Sequence, residues 1–166
     1  MGYTLDQFAS ECHRILKEDP APTGRDKVRN LVEEVLKDRE FLATYLNDNT
    51  PARQVLYEDP DLGFCICAHM GRGASEAKPH DHGPSWAIYG QAIGETEMTD
   101  WEVIERAAED KPGKVRRARI YALKQGMAHL YNEGDVHSPK RLTTTGLIRI
   151  EGKNTRKIKR FPYEAV

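Results

Sequence analysis

The chain has 166 residues, of which 31% are charged, and its formal net charge is −1 at pH 7. A chain of this length is expected to form one domain, with room for a short appendage. The balanced charge gives no electrostatic case for binding nucleic acid or a membrane surface. No apolar run approaches the roughly 20 residues that a membrane-spanning helix needs.

Cysteine content and the first residues bear on the cellular compartment. The chain has three cysteines, and an odd count argues against a disulfide framework and favours a reducing, cytoplasmic compartment. Cys65 and Cys67 flank Ile66 in an apolar stretch, so they would share one face of a strand. Core packing is favoured over a metal role, because no CxxC spacing is present. The N-terminus lacks a basic segment followed by an apolar run, so no secretory signal is expected.

Residues 1–49 are predicted to form a helical segment. Thr4 and Gln7 have the spacing of a capping box at a helix start. A second helix is expected from Thr23, and the apolar pattern breaks near Asp38 before it continues. The apolar side chains at helical spacing are interpreted as core; they are Phe8, Cys12, Ile15 and Leu16, then Val28, Leu31, Val32, Val35 and Leu36.

From residue 50 to residue 166 the sequence is typical of an all-β sandwich or barrel, because short apolar or alternating runs are separated by Gly, Pro and Asp turns. The basic run 153–160 is interpreted as a solvated strand edge, where lysine and arginine discourage edge pairing. The predicted strands are 54–57, 64–70, 86–93, 96–103, 115–123, 127–131 and 142–150. The fold class is therefore a mainly β barrel domain, 50–166, preceded by the helical segment, 1–49.

Histidine spacing gives the strongest functional signal. His80 and His82 are separated by one residue, and in a strand they would project from the same face. A third imidazole, His137, follows a glycine turn at Gly134. Three imidazoles could hold one metal ion and leave positions open for substrate, as catalytic metal sites do. The alternative is a pair of exposed histidines in a polar loop, since a lone His-x-His is a weak motif.

These motifs resemble those of the cupin superfamily, which has a jelly-roll β-barrel. The first cupin motif has His-x-His, then a glutamate, then a glycine after six further residues. Here Gly94 keeps the glycine place, while Ala87 occupies the glutamate place. The second motif is similar to the stretch from Gly126 through Gly134 to His137, with Asn132 in place of a proline. The resemblance implies a metal site of three histidines without the glutamate.

The stretches 55–60 and 80–90 look like the thiol dioxygenases, which are the cysteine dioxygenases and, more closely, the bacterial 3-mercaptopropionate dioxygenases. The resemblance covers residues 50 to 150. It implies that His80, His82 and His137 hold Fe(II), and that O₂ oxidises a small thiol-bearing acid to a sulfinate. Zn, Ni or another divalent metal would also suit three imidazoles. Arg53 aligns with the family's carboxylate-binding residue, a role that suits a guanidinium fork; its alternative is a surface arginine at a strand start.

The sequence departs from this family at the outer part of the site. Ala87 occupies the position of the family's cross-linking cysteine. The late Ser-x-His-x-Tyr pattern appears here as Leu147 to Glu151, so Arg149 and Glu151 replace the family's histidine and tyrosine. If both point into the barrel they form a charged pair near the metal, and if both point outward they are an ordinary exposed pair. Arg149 is therefore a candidate site residue.

Aromatic and histidine side chains near the motifs have two interpretations. Tyr89 is expected to pack in the barrel, although a tyrosine hydroxyl near the metal could donate to bound oxygen, so it too is a candidate catalytic group. His129 is interpreted as a satisfied strand histidine rather than a site residue. Two rival functions stay open: a three-histidine cupin acting on a non-thiol substrate, for example in diketone cleavage, and a small-molecule-binding cupin without turnover.

Overall fold

The computed structural model describes residues 2–166, which form three α-helices, a 3₁₀ helix and ten strands. The helices are α1 (Leu5–Glu18), α2 (Pro22–Val35) and α3 (Arg39–Tyr45). Within these residues, no helix is long and apolar enough to cross a membrane. The strands are β1 (Arg53–Glu58), β2 (Cys65–Gly71), β3 (Ser75–Glu76), β4 (Ala87–Ile93), β5 (Thr96–Glu105), β6 (Gly113–Leu123), β7 (Ala128–Tyr131), β8 (Val136–Arg141), β9 (Thr145–Glu151) and β10 (Tyr163–Ala165).

The strands form two five-stranded sheets. Sheet A has the order β1-β2-β9-β4-β7, and sheet B has the order β10-β6-β5-β8-β3. Consecutive strands often belong to different sheets, and neighbouring strands pair antiparallel except β10 with β6. This double-sheet arrangement is the jelly roll of cupins. The predicted fold class, a mainly β jelly-roll barrel preceded by helices, is confirmed.

Local sequence signals explain where the helices begin. The Thr4 hydroxyl accepts from the backbone of Gln7, and the Gln7 side chain accepts from the backbone of Thr4, which confirms the predicted capping box. The second helix begins at Pro22, one residue before the predicted start, because proline suits the first helical turn. Asp38 accepts two backbone hydrogen bonds as the N-cap of α3, at the predicted break.

The helices cover the outer face of sheet A. Val28, Val32 and Val35 of α2 have no exposed surface and share a core cluster with Ile88 and Ile148 of the sheet. Each such buried side chain stabilises the fold by roughly 1.5–3 kcal/mol. The other buried members of this cluster are Phe8, Ala9, Cys12, Ile15, Leu16, Leu36, Phe41, Leu46, Phe64, Ile66, Ala68, Met70, Trp86, Ala128 and Ile150.

Three sequence-based expectations differ from the structure. Residues 153–160 are not a strand edge: they contain the 3₁₀ helix Thr155–Lys157 and extended chain. The segment from His80 to His82 is not a strand, although His80 forms an isolated β-bridge. Strands β3, β8 and β10 are not among the predicted strands; in β8, Pro139 and polar neighbours interrupt the apolar pattern.

Candidate metal centre

Backbone pairing brings the three predicted histidines together. The amide of His80 donates to the carbonyl of His137 at 3.0 Å, and the amide of His137 donates back at 2.9 Å. His137 follows the turn at Gly134, where the backbone φ of +80° favours glycine. The ligand-capable atoms of His80, His82 and His137 all lie within 4.8 Å of one another. The predicted convergence of these three side chains is therefore present.

Hydrogen bonds from the ring to backbone carbonyls orient two of the histidines. Nδ1 of His80 lies 2.8 Å from the carbonyl oxygen of Lys78, and Nδ1 of His137 lies 3.0 Å from that of Asp135. A carbonyl only accepts, so Nδ1 carries the proton in both rings and Nε2 keeps its lone pair. This is the tautomer and the backbone support that metal-binding histidines use.

The ring nitrogens face one another. Nε2 of His82 lies 3.2 Å from Nε2 of His137, and the hydroxyl of Tyr89 lies 2.9 Å and 3.0 Å from these two atoms. Two imidazole nitrogens and a phenol oxygen that converge in this way form a set of ligand atoms that suits a shared cation. The three histidines could bind a divalent metal, and their imidazoles fit several metals.

Burial keeps this group neutral. Removal from water lowers the pKa of His82 far below its ordinary value, and nearby Arg149 lowers it further. Burial likewise lowers the pKa of His137 and of His80. Neutral imidazole is the form that coordinates a metal, so the histidines are ready to bind at neutral pH.

A cavity of about 880 Å³ opens onto the histidines. His80, His82, Tyr89 and Arg149 line it. The guanidinium of Arg149 lies 4.3 Å from the centre of the Tyr89 ring. Burial raises the pKa of the Tyr89 phenol, so the hydroxyl is protonated at neutral pH and can donate a hydrogen bond.

Arg149 and Glu151 both face the interior, which settles the alternative that the sequence left open. Oε1 of Glu151 accepts from Nη2 of Arg53 at 2.7 Å, and Oε2 lies 3.3 Å from Nη2 of Arg149. Burial alone would raise the pKa of the fully buried Glu151 carboxyl, but Arg149 and Arg53 together lower it. Arg53 lines the cavity and also donates to Asn154 at 3.1 Å, so part of its guanidinium is already engaged.

A second group of ligand-type side chains lies nearby. Donor atoms of Cys67, His69 and Glu151 are within 4.8 Å of one another. Arg53 and Arg149 are ion-paired to the same carboxylate, and their positive charge disfavours a cation there. Cys67 packs in the interior as predicted, and burial raises the pKa of its thiol to about 11.

Aromatic rings stack behind the histidines. The ring of Tyr131 lies 4.0 Å from that of His137, and His129 stacks between Tyr131 and Tyr121 at 4.5 and 5.1 Å. His129 does not belong to the cavity wall formed by the described residues. It lies on β7, so the interpretation as a strand histidine outside the site agrees with the structure, although its Nδ1 has no hydrogen-bond partner among those residues.

Four cationic side chains of the cavity wall are not among the site residues predicted from the sequence. They are Lys78, Arg141, Arg156 and Arg160. His69 on β2 also lines the wall, whereas the sequence favours a satisfied strand histidine at that position. Arg156 and Arg160 belong to the basic run that was assigned to a strand edge, and no local pattern places that run beside the histidines.

Neither a protein-family model nor a curated protein matches the sequence. Among solved structures, the chain is similar to the Cnp3 cupin domain of Schizosaccharomyces pombe, with 12% identity, a TM-score of 0.46 and coverage of 63% of this chain and 66% of that one. It is similar to KdgF from Halomonas sp., with 14% identity, a TM-score of 0.46 and coverage of 68% and 91%. It is also similar to the DMSP lyase DddQ of Ruegeria pomeroyi DSS-3, with 11% identity, a TM-score of 0.46 and coverage of 67% and 50%.

These similarities concern the barrel alone, which the strand order establishes independently. The aligned part spans just under two thirds of the Cnp3 domain and half of the lyase. Fold and site together define a cupin-type barrel with a three-histidine group that could bind a divalent metal.

Proposed function

We propose that this protein is a non-haem Fe(II) dioxygenase that oxidises a small thiol-bearing acid to a sulfinate. In this reaction a thiolate and one O₂ give one sulfinate, with both oxygen atoms transferred to sulfur. The observation that carries the proposal is the group of His80, His82 and His137, two of which, His80 and His82, line a cavity that Arg149 also lines. A metal held by three side chains has positions left for other ligands.

Each side chain of the site has a distinct role in this proposal. His80, His82 and His137 would hold Fe(II), which supplies coordination positions for the thiolate and O₂ and the redox chemistry. The Tyr89 hydroxyl, 2.9 and 3.0 Å from two ligand nitrogens, would donate a hydrogen bond to oxygen at the reacting sulfur. Its raised pKa keeps that proton in place.

Arg149 and Arg53 would orient the carboxylate of the substrate. Both side chains line the cavity and keep a small exposed fraction, 11% for Arg53 and 13% for Arg149. Glu151 holds both guanidiniums in position at 2.7 and 3.3 Å. A fixed guanidinium loses little conformational entropy when it binds a carboxylate.

One observation favours a second candidate, a metal-dependent cupin acting on an anionic substrate without a thiol. Arg149 and Glu151 stand where the resembling family has an outer histidine and tyrosine, and here they form an ion pair beside the cavity. Those positions therefore offer charge recognition in place of neutral hydrogen-bond donors. Cleavage of a diketone-like compound is one reaction of this second class.

O₂ uptake separates the two candidates. Anaerobically Fe(II)-loaded protein is mixed with aerated 3-mercaptopropionate or cysteine, and the product is identified by mass spectrometry. We expect O₂ consumption with a product 32 mass units above the thiol, as two added oxygen atoms require. His137→Ala should abolish uptake, while His129→Ala, a histidine outside the cavity wall, should retain it. Absence of uptake with every thiol, from protein shown to hold one Fe(II), would exclude the dioxygenase and leave the second candidate or a non-catalytic binding protein.

A further inference from the structure

We infer that the ligand of this cavity is a small organic acid with at least two anionic groups. The inference deepens the proposed function and rests on it only for the reacting thiol at the histidines. Six cationic side chains line the cavity: Arg53, Lys78, Arg141, Arg149, Arg156 and Arg160. Among the residues that the structure describes, no aspartate or glutamate belongs to its wall.

Most of this positive charge has no carboxylate partner. Glu151, behind the wall, pairs with Arg53 and Arg149 and so neutralises one of their two charges. Within residues 2–166, neither Lys78 nor the arginines at 141, 156 and 160 have a carboxylate oxygen within 4.0 Å. A divalent metal on neutral histidines would add further positive charge. A single carboxylate would leave most of this charge uncompensated.

Four of the six cations can be grouped into two pairs by the elements that carry them. Arg53 on β1 and Arg149 on β9 form an inner pair, joined through Glu151. Arg156 and Arg160 come from the segment after β9 and form a second pair on the cavity wall. An acid with two separated anionic groups would engage both pairs at once.

Hydrogen bonds attach the second pair to the first. Oε1 of Glu151 accepts from the amide and the hydroxyl of Thr155, at 3.2 Å each. Oδ1 of Asn154 accepts from both Arg53 and the amide of Arg156, at 3.1 Å each. The segment that carries Arg156 is therefore fixed relative to the inner arginines, which gives the two anion-binding positions a defined separation.

Cavity size restricts the ligand to a small molecule. A volume of about 880 Å³ lies within the range of small-molecule sites. The low-dielectric protein around such a cavity concentrates the electric field of the cationic side chains. The binding free energy of a doubly charged anion is therefore more favourable than that of a singly charged one. The chemical class indicated is a dicarboxylate or an acid with a carboxylate and a phosphate or sulfonate.

Calorimetric titration of anaerobic Fe(II)-loaded protein with succinate and with butyrate tests this inference. The two probes have the same number of carbon atoms and differ by one carboxylate, and neither contains a thiol. We expect succinate to bind at least about tenfold more tightly, a difference that one well-placed charge can supply. Arg156→Gln and Arg160→Gln should each reduce succinate affinity severalfold and leave butyrate affinity nearly unchanged. Lys157→Gln is the matched control, since Lys157 pairs with Glu58 and is not part of the cavity wall.

Equal affinity for the two probes would overturn the inference. A succinate preference that survives in both arginine variants would also overturn it, since the second carboxylate would then bind the iron rather than the cations. Neither result bears on thiol oxidation, which the O₂ uptake experiment measures separately. Loss of O₂ uptake with a retained, arginine-dependent succinate preference would overturn the dioxygenase proposal alone.

Discussion

Replacement of Glu151 by glutamine tests how much the carboxylate between Arg53 and Arg149 contributes to the free energy of unfolding. Glu151 has no exposed surface, and its two oxygens contact Arg53 at 2.7 Å, Arg149 at 3.3 Å and Thr155 at 3.2 Å. Glutamine keeps the shape and can still accept from Thr155. It removes the negative charge between two guanidiniums whose side chains are only 11% and 13% exposed.

Removal of one partner from a buried ion pair costs about 3–5 kcal/mol, because the opposite charge stays buried without compensation. The adjoining cavity admits water to the arginines, so we expect Glu151→Gln to lower the free energy of unfolding by about 3 kcal/mol at pH 7. The folded-state pKa of Glu151 lies below its ordinary value of 4.5. Its stabilising contribution is therefore full above that value and is lost as the pH falls through the folded-state pKa.

Urea unfolding of the wild type and the variant at pH 7, 5 and 4 measures this contribution. The difference in unfolding free energy should be largest at pH 7 and should shrink below pH 4.5, the ordinary pKa of the glutamate. Glu102→Gln is the control, since it removes an exposed ion pair with Arg116 and should change stability by less than about 0.5 kcal/mol. A difference below 1 kcal/mol, or one independent of pH, would refute the assignment of Glu151 as the charge that holds the two arginines.

Three further predictions concern the metal and the packing. His137→Ala should reduce bound Fe(II), measured by metal analysis, from one equivalent to nearly none, whereas His129→Ala should retain it. One full equivalent of Fe(II) in His137→Ala would exclude the three-histidine site. Tyr89→Phe should keep the metal and lower the turnover number about tenfold or more, and unchanged turnover would remove its proposed role. Gly90→Ala would place a Cβ 2.5 Å from Val32. This clash should lower the free energy of unfolding by roughly 1–3 kcal/mol. A variant as stable as the wild type in thermal unfolding would contradict the close contact between helix and sheet.

The three histidines at the centre of the site were easier to predict from the sequence than the side chains of the outer wall. His80 and His82 could be paired from their spacing, and His137 from the glycine turn before it, because each signal is local. The capping box at Thr4 and the N-cap at Asp38 were predictable for the same reason. The helix caps depend on residues close in sequence, whereas the approach of His137 to His80 depends on a long-range backbone bridge.

The orientation of Arg149 could not be predicted because both faces of β9 are covered. One face packs against the helices through Ile148 and Ile150, and the other faces the cavity with Leu147. The strand therefore lacks the simple alternation that identifies an exposed face. Arg156 posed a different difficulty, since its position depends on the long-range contact that joins Asn154 to Arg53.

Strands β4 and β9 couple the helical layer to the geometry of the histidine site. Successive residues of a strand point to opposite faces, so Ile88 and Ile148 pack against the helices while Tyr89 and Arg149 line the cavity beside the histidines. No loop lies between the residues that pack against the helices and those that line the cavity. Conservative changes where the helices pack on the sheet would therefore shift the positions of Tyr89 and Arg149, and a search for variants with altered ligand or metal binding should include that interface.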